Sequence, residues 1–96
     1  MSHPFLIKAT SHYDRLARRL LRQHPELDSL EDKMRNTLSI DPYNVTRRYK
    51  IKKLEGVNQG DGQYRFRIER FRFRYDIYGK EVILHSCMLR DNRAYK

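Results

Sequence analysis

Residues Arg65 to Ile77 read RFRIERFRFRYDI, an alternation of basic with aromatic or aliphatic residues that breaks at Glu69 and Arg70 and has the acidic Asp76 near its end. A period of two belongs to the β-strand, where successive side chains leave on opposite faces; on a helix the same residues would scatter around the axis. Phe71, Phe73, Tyr75 and Ile77 then share one face, and Arg70, Arg72, Arg74 and Asp76 share the other. Gln63 to Ile68, Phe71 to Tyr78 and Glu81 to Met88 read as three strands, the last two joined by a tight turn at Gly79 and Lys80. Two-residue hairpins would set Arg67 opposite Arg72, Arg65 opposite Arg74 and Phe66 opposite Phe73. On the other side they would set Arg74 opposite His85, Arg72 opposite Cys87, Phe73 opposite Ser86 and Tyr75 opposite Leu84. One face becomes core and the other becomes basic. Like charges placed directly opposite each other cost about 0.2–1 kcal/mol per pair, so stability alone does not select such a face. The plain alternative is a solvated sheet face whose arginines are relieved by Glu69, Asp76 and Glu81.

The rest of the chain supplies what this sheet packs against. Phe5 to Ala9 is short and β-prone, and Thr10 or Ser11 can cap a helix whose positive end Asp14 favours. From Ser11 to Gln23 the residues Tyr13, Leu16, Ala17, Leu20 and Leu21 recur at helical spacing, leaving Arg15, Arg18, Arg19 and Arg22 outside the apolar stripe. A second helix runs from about Pro25 or Asp28 to Ser39, with Leu27, Leu30, Met34 and Leu38 on one face, and Asp41 and Pro42 stop it. Residues 41–62 form a long irregular connection in which YKIKKL could add a short strand. The expected architecture is α+β: one domain over residues 1–96, an antiparallel sheet of about four strands with an N-terminal strand, and a two-helix hairpin packed on one face.

Charge points to the partner. Lys and Arg number 21 against 12 Asp and Glu, a formal +9 on 96 residues, so a polyanion is expected: nucleic acid first, an anionic membrane second. The single Cys87 excludes an internal disulfide and fits a reducing, cytoplasmic location; no Cys/His cluster stands at metal-ligand spacing. The apolar run Phe5 to Ile7 is too short for a signal segment or a membrane span.

Arginine suits phosphate because its planar, permanently charged fork donates paired hydrogen bonds, and a cluster can stabilise charge that develops on phosphorus oxygens. Hydrolysis needs a proton-transfer group besides, and the candidates are His85 and Tyr95, each of which has an ordinary alternative as a sheet histidine and a packing or surface tyrosine.

The sequence G-x-Y-R-x-R-I at Gly62, Tyr64, Arg65, Arg67 and Ile68, followed by Phe71, Arg72 and Tyr75, then EVILHSCMLR and a terminal Arg and Tyr, resembles the RelE/ParE superfamily of bacterial toxin–antitoxin systems, in particular its RelE-like mRNA interferases. The likeness runs from about Pro4 to Lys96. It implies a compact domain similar to small microbial ribonucleases, a basic face opposite the helices, cleavage of mRNA in the ribosomal A site, and a cognate antitoxin that wraps over the toxin in a hetero-oligomer. By that resemblance Arg65 and Arg67 face the substrate, Arg72 contacts the scissile phosphate, Tyr95 is the base, and either Arg90 or Arg93 protonates the leaving oxygen or stabilises charge. Arg74, Lys52 and Lys53 complete the RNA-binding set. Because other branches of the superfamily use a histidine, His85 is a candidate acid or base. The chemistry implied is attack of the 2′-hydroxyl on the adjacent phosphorus without metal or cofactor. Two other readings stand beside it: a ParE-like gyrase inhibitor, against which Arg72 and Tyr95 argue, and a non-catalytic nucleic-acid-binding module.

Overall fold

The computed structural model describes residues 4–90. Along the chain these form β1 (Leu6–Ala9), α1 (Ser11–Gln23), α2 (Leu27–Ile40), β2 (Ile51–Lys53), β3 (Tyr64–Ile68), β4 (Phe71–Tyr78) and β5 (Glu81–Leu89). Thr10 is the cap of α1: its Oγ1 accepts the Tyr13 N–H at 3.0 Å, and Asp14 sits in the first turn. Helix α2 has no side-chain cap at its N-terminus and ends at Ile40, one residue beyond the expected Ser39, with Asp41 as its C-cap. None of the described helices is long and apolar enough to cross a membrane.

The five strands form one sheet in the order β1-β5-β4-β3-β2. It is mixed, because β1 lies parallel to β5, with Leu6 beside Glu81 and Ala9 beside Leu84. The expected antiparallel set thus holds for β2 to β5, and the N-terminal strand joins with the opposite sense. The YKIKKL segment contributes β2, with Ile51 opposite Phe66 and Lys52 opposite Arg65.

The helices cover the apolar face. Tyr13, Leu27, Met34 and Leu38 from the helices and Phe71, Phe73, Tyr75, Val82 and Leu84 from the sheet are essentially inaccessible to solvent. Their burial is the main source of stability, at roughly 1.5–3 kcal/mol for each large apolar side chain removed from water. Tyr64 and Tyr75 stack at 5.4 Å, and the Tyr75 hydroxyl donates to the Pro42 carbonyl at 2.6 Å.

The β3–β4 register is as expected, with Arg67 opposite Arg72, Arg65 opposite Arg74 and Phe66 opposite Phe73. The β4–β5 register is not. Tyr75 does pair with Leu84, but a bulge at the next position puts Arg74 opposite Ser86, Phe73 opposite Cys87 and Arg72 opposite Met88, leaving His85 as the extra residue. An unbroken register would have turned Ser86 into the core and Cys87 toward the arginines. The inserted residue reverses that parity, so Cys87 is buried and Leu89 packs on the core, while Met88 is exposed.

The long connection is held by polar anchors. Asp41 accepts the Val45 N–H at 2.8 Å, the Thr46 N–H at 3.2 Å and the Thr46 hydroxyl at 2.7 Å. Asn44 Oδ1 accepts the Tyr49 N–H at 3.2 Å, and its amide nitrogen donates to the Tyr49 carbonyl at 2.9 Å.

Candidate nucleic-acid interface

Strand parity and register place the basic residues in rows across the sheet face turned away from the helices. One row runs Lys52, Arg65, Arg74 and Ser86. The next contains Arg67, Arg72 and Met88, and the Arg67 N–H donates to the Lys50 carbonyl at 3.0 Å, which extends it to Lys50. A third begins where the Arg90 N–H donates to the Arg70 carbonyl, bringing the end of β5 against the Glu69–Arg70 turn. Neighbouring strands lie about 4.8 Å apart and successive rows about 7 Å apart, a spacing on which several guanidinium groups converge.

The Nε atoms of Arg65, Arg67, Arg72 and Arg90 are all buried, so these four side chains lie against the protein rather than reaching freely into solvent. Those of Arg67 and Arg90 have no hydrogen-bond acceptor among the described residues. A buried donor without an acceptor costs about 1–3 kcal/mol, and an anion lying on the face would relieve it.

Arg74 is spent differently. Its Nε and Nη2 donate to the Gly62 carbonyl at 3.0 and 2.8 Å, and Nη2 also donates to the Asp61 carbonyl at 3.0 Å. Beside it the buried Asp76 carboxylate accepts the N–H groups of Gly62 and Gln63, at 3.0 and 2.9 Å for the shorter bonds. These two residues bind the β2–β3 loop to the sheet. Gly62 makes the close approach possible: at φ +81° a Cβ there would stand 3.1 Å from the Arg74 Cβ. Arg74, expected as a flanking RNA contact, anchors this loop.

The two lysines also separate. Lys52 shares the arginine face, whereas Lys53 pairs with Tyr64 and lies 5.9 Å over that ring on the opposite side. Lys50, two residues before Lys52 on the same parity, stands with Lys52 beside the arginine rows; the alternation within YKIKK carries that signal once β2 is accepted as a strand.

His85 sits at the bulge, where the extra residue re-aims a side chain. It flanks Gly62, and its ring lies 6.2 Å from that of His12 in the first turn of α1. Nothing local in the sequence links positions 12 and 85, so the nearness of His12 emerges only from the fold. Arg93 and Tyr95 lie outside the described residues. Among the described residues no group of three or more His, Cys, Asp or Glu is placed to hold a metal ion. The buried Cys87 thiol is pushed up to about 12, first by burial and then by Glu31, which suits it to packing and not to nucleophilic work.

No protein-family model and no curated protein matches the chain. Two solved structures do. A chain of the archaeal RelE–RelB complex from Pyrococcus horikoshii OT3 superposes with a TM-score of 0.65 at 18% identity, covering 93% of this chain and 98% of that one. A chain of the RelB–RelE antitoxin–toxin complex from Methanococcus jannaschii superposes with a TM-score of 0.51 at 18% identity, covering 85% and 88%. With its two helices on one face of a five-stranded mixed sheet and its arginines on the other, this chain has the RelE-like fold.

Proposed function

We propose that this chain is the toxin of a type II toxin–antitoxin pair and that it cuts mRNA on the ribosome. The observation that carries the reading is the set Arg65, Arg67, Arg72 and Arg90, brought by strand register to the face away from the helices, with buried Nε donors of which those of Arg67 and Arg90 lack a protein acceptor among the described residues. The likeness to chains of RelE–RelB complexes supports a toxin with an antitoxin partner. An acidic, helix-rich partner lying over the basic face would neutralise it.

In the proposed reaction the RNA 2′-oxygen attacks the adjacent phosphorus and the bond from phosphorus to the 5′-oxygen breaks. The 2′-proton passes to a base and the departing 5′-oxygen acquires a proton, which leaves a 2′,3′-cyclic phosphate and a 5′-hydroxyl. Arg72, flanked by Arg65 and Arg67, would hold the scissile phosphate and stabilise its added charge; one such preorganised donor is worth about 10²–10³ in rate. Tyr95 is the proposed base, with Arg90 or Arg93 at the leaving oxygen. A free tyrosine near pKa 10 is a poor base, and the neighbouring guanidinium groups would lower it. His85, beside the arginine rows, is the second candidate for proton transfer.

Induction in a bacterial host should arrest growth and produce cuts confined to translated reading frames, and Arg72→Ala or Tyr95→Phe should relieve the arrest while leaving a folded protein. Growth arrest with intact mRNA would exclude the reading.

A further inference from the structure

The sheet face leaves a second concentration of arginine unexplained. On α1 the exposed residues include Arg15, Arg18, Arg19 and Arg22, at relative positions i, i+3, i+4 and i+7. At about 100° per residue they lie within roughly 60° of the direction opposite the buried Tyr13 and Ala17, and they form a track about 10 Å long. The only acidic residue of this helix is Asp14. Helix α2 carries Asp28 and Asp32 on its exposed side, yet none of the four arginines makes an ion pair or a hydrogen bond among the described residues. Like charges at these spacings oppose helix formation, so the stripe is not a device for stability.

A basic amphipathic helix can lie in a membrane surface, but that use needs its apolar face, and here that face is the core. What remains is a straight row of bidentate donors with no aromatic side chain among them. Single-stranded RNA is held by stacking its bases on aromatic side chains, whereas a duplex offers backbone phosphates and keeps its bases inside. We propose that the outer face of α1 docks on the phosphate backbone of double-stranded RNA. It points away from the arginine sheet face on a body 27–38 Å across, so the two surfaces hold separate RNA segments. The choice of RNA rests on the proposed function; the stripe itself does not.

The test uses the full chain and a blunt, labelled RNA duplex of about 16 base pairs, followed by anisotropy between about 50 and 200 mM salt. Replacing all four arginines by glutamine should weaken binding at least tenfold and flatten the salt dependence by about 0.7–0.9 for each arginine that touches phosphate. The pair Arg18→Gln and Arg22→Gln, a milder change, should give about half that loss of slope. Circular dichroism melts should show both variants folded. Unchanged affinity and slope in both would overturn the proposal, as would a stripe-dependent affinity for polyglutamate or for phosphatidylserine vesicles with none for the duplex. Arg72→Ala separates the two readings: it should abolish mRNA cutting and leave the stripe's share of duplex binding intact.

Discussion

Arg67 and Arg74 stand one strand apart on the same face and are expected to fail in opposite ways. Arg67 faces Arg72 directly, and its Nε has no acceptor among the described residues. Arg67→Gln should therefore leave the melting temperature unchanged or slightly raised while weakening RNA binding. Arg74→Gln loses the bonds to the Gly62 and Asp61 carbonyls and should lower stability by about 1–3 kcal/mol, read as a lower denaturant midpoint. Cys87 gives a third residue-level check: with its thiol held up near 12, iodoacetamide at about pH 8 should label it only after denaturation, and rapid native labelling would contradict its burial. Parity alone revealed that Arg65, Arg67 and Arg72 share a face, because alternation is a local property of a strand. It could not distinguish Arg74 from them, since the carbonyls that engage Arg74 come from a loop twelve residues earlier and have no local signature.

Among the elements, the β3–β4 hairpin carries an avoidable cost. Glu69 and Arg70 close it as a two-residue turn, and Glu69 sits at φ +52°, a conformation that costs an L-residue with a side chain about 1–2 kcal/mol. Glycine there would relieve the strain but lose more chain entropy on folding, so Glu69→Gly should raise stability by up to about 1 kcal/mol in urea unfolding. A loss of stability would mean that the Glu69 side chain makes a compensating contact. The helices, β4 and β5 were legible because each runs long enough for its period to show. The three-residue β2 was legible only as an alternative within YKIKKL, since Ile51 to Lys53 is too short for a period and is recruited by pairing with β3. The parallel sense of β1 and the bulge at His85 likewise depend on what lies beside them: β1 is placed by pairing with a strand 75 residues away, and the bulge by which side chains the core accepts.

Across the whole molecule, a surplus of positive charge is concentrated on two surfaces, one on the sheet and one on α1. Three ion pairs join side chains among the described residues, one of them involving a histidine. Self-repulsion at +9 should make the fold salt-sensitive, with the melting temperature rising as the screening length falls from about 30 Å at 0.01 M to about 10 Å at 0.1 M. Acid should enlarge the effect through Asp41. Burial raises its pKa, but the hydrogen bonds from Thr46 and Val45, together with nearby Arg48, outweigh that and leave it below the ordinary carboxylate value. A lowered folded-state pKa means that Asp41 stabilises the protein above its unfolded pKa of about 4, and that this contribution is lost as pH falls through the lower folded value. In the same range the 12 carboxylates neutralise while the 21 Lys and Arg stay charged. Thermal melts at about pH 7 and pH 3, each in low and moderate salt, should show lower stability in acid and a larger gain from salt there. Asp41→Asn should reduce the difference between the two pH values, because the amide does not titrate; its single oxygen can accept from Val45 or from Thr46 but not from both, so stability at pH 7 should fall as well. An unchanged pH dependence in Asp41→Asn would assign acid sensitivity to overall charge and remove Asp41 as its local cause.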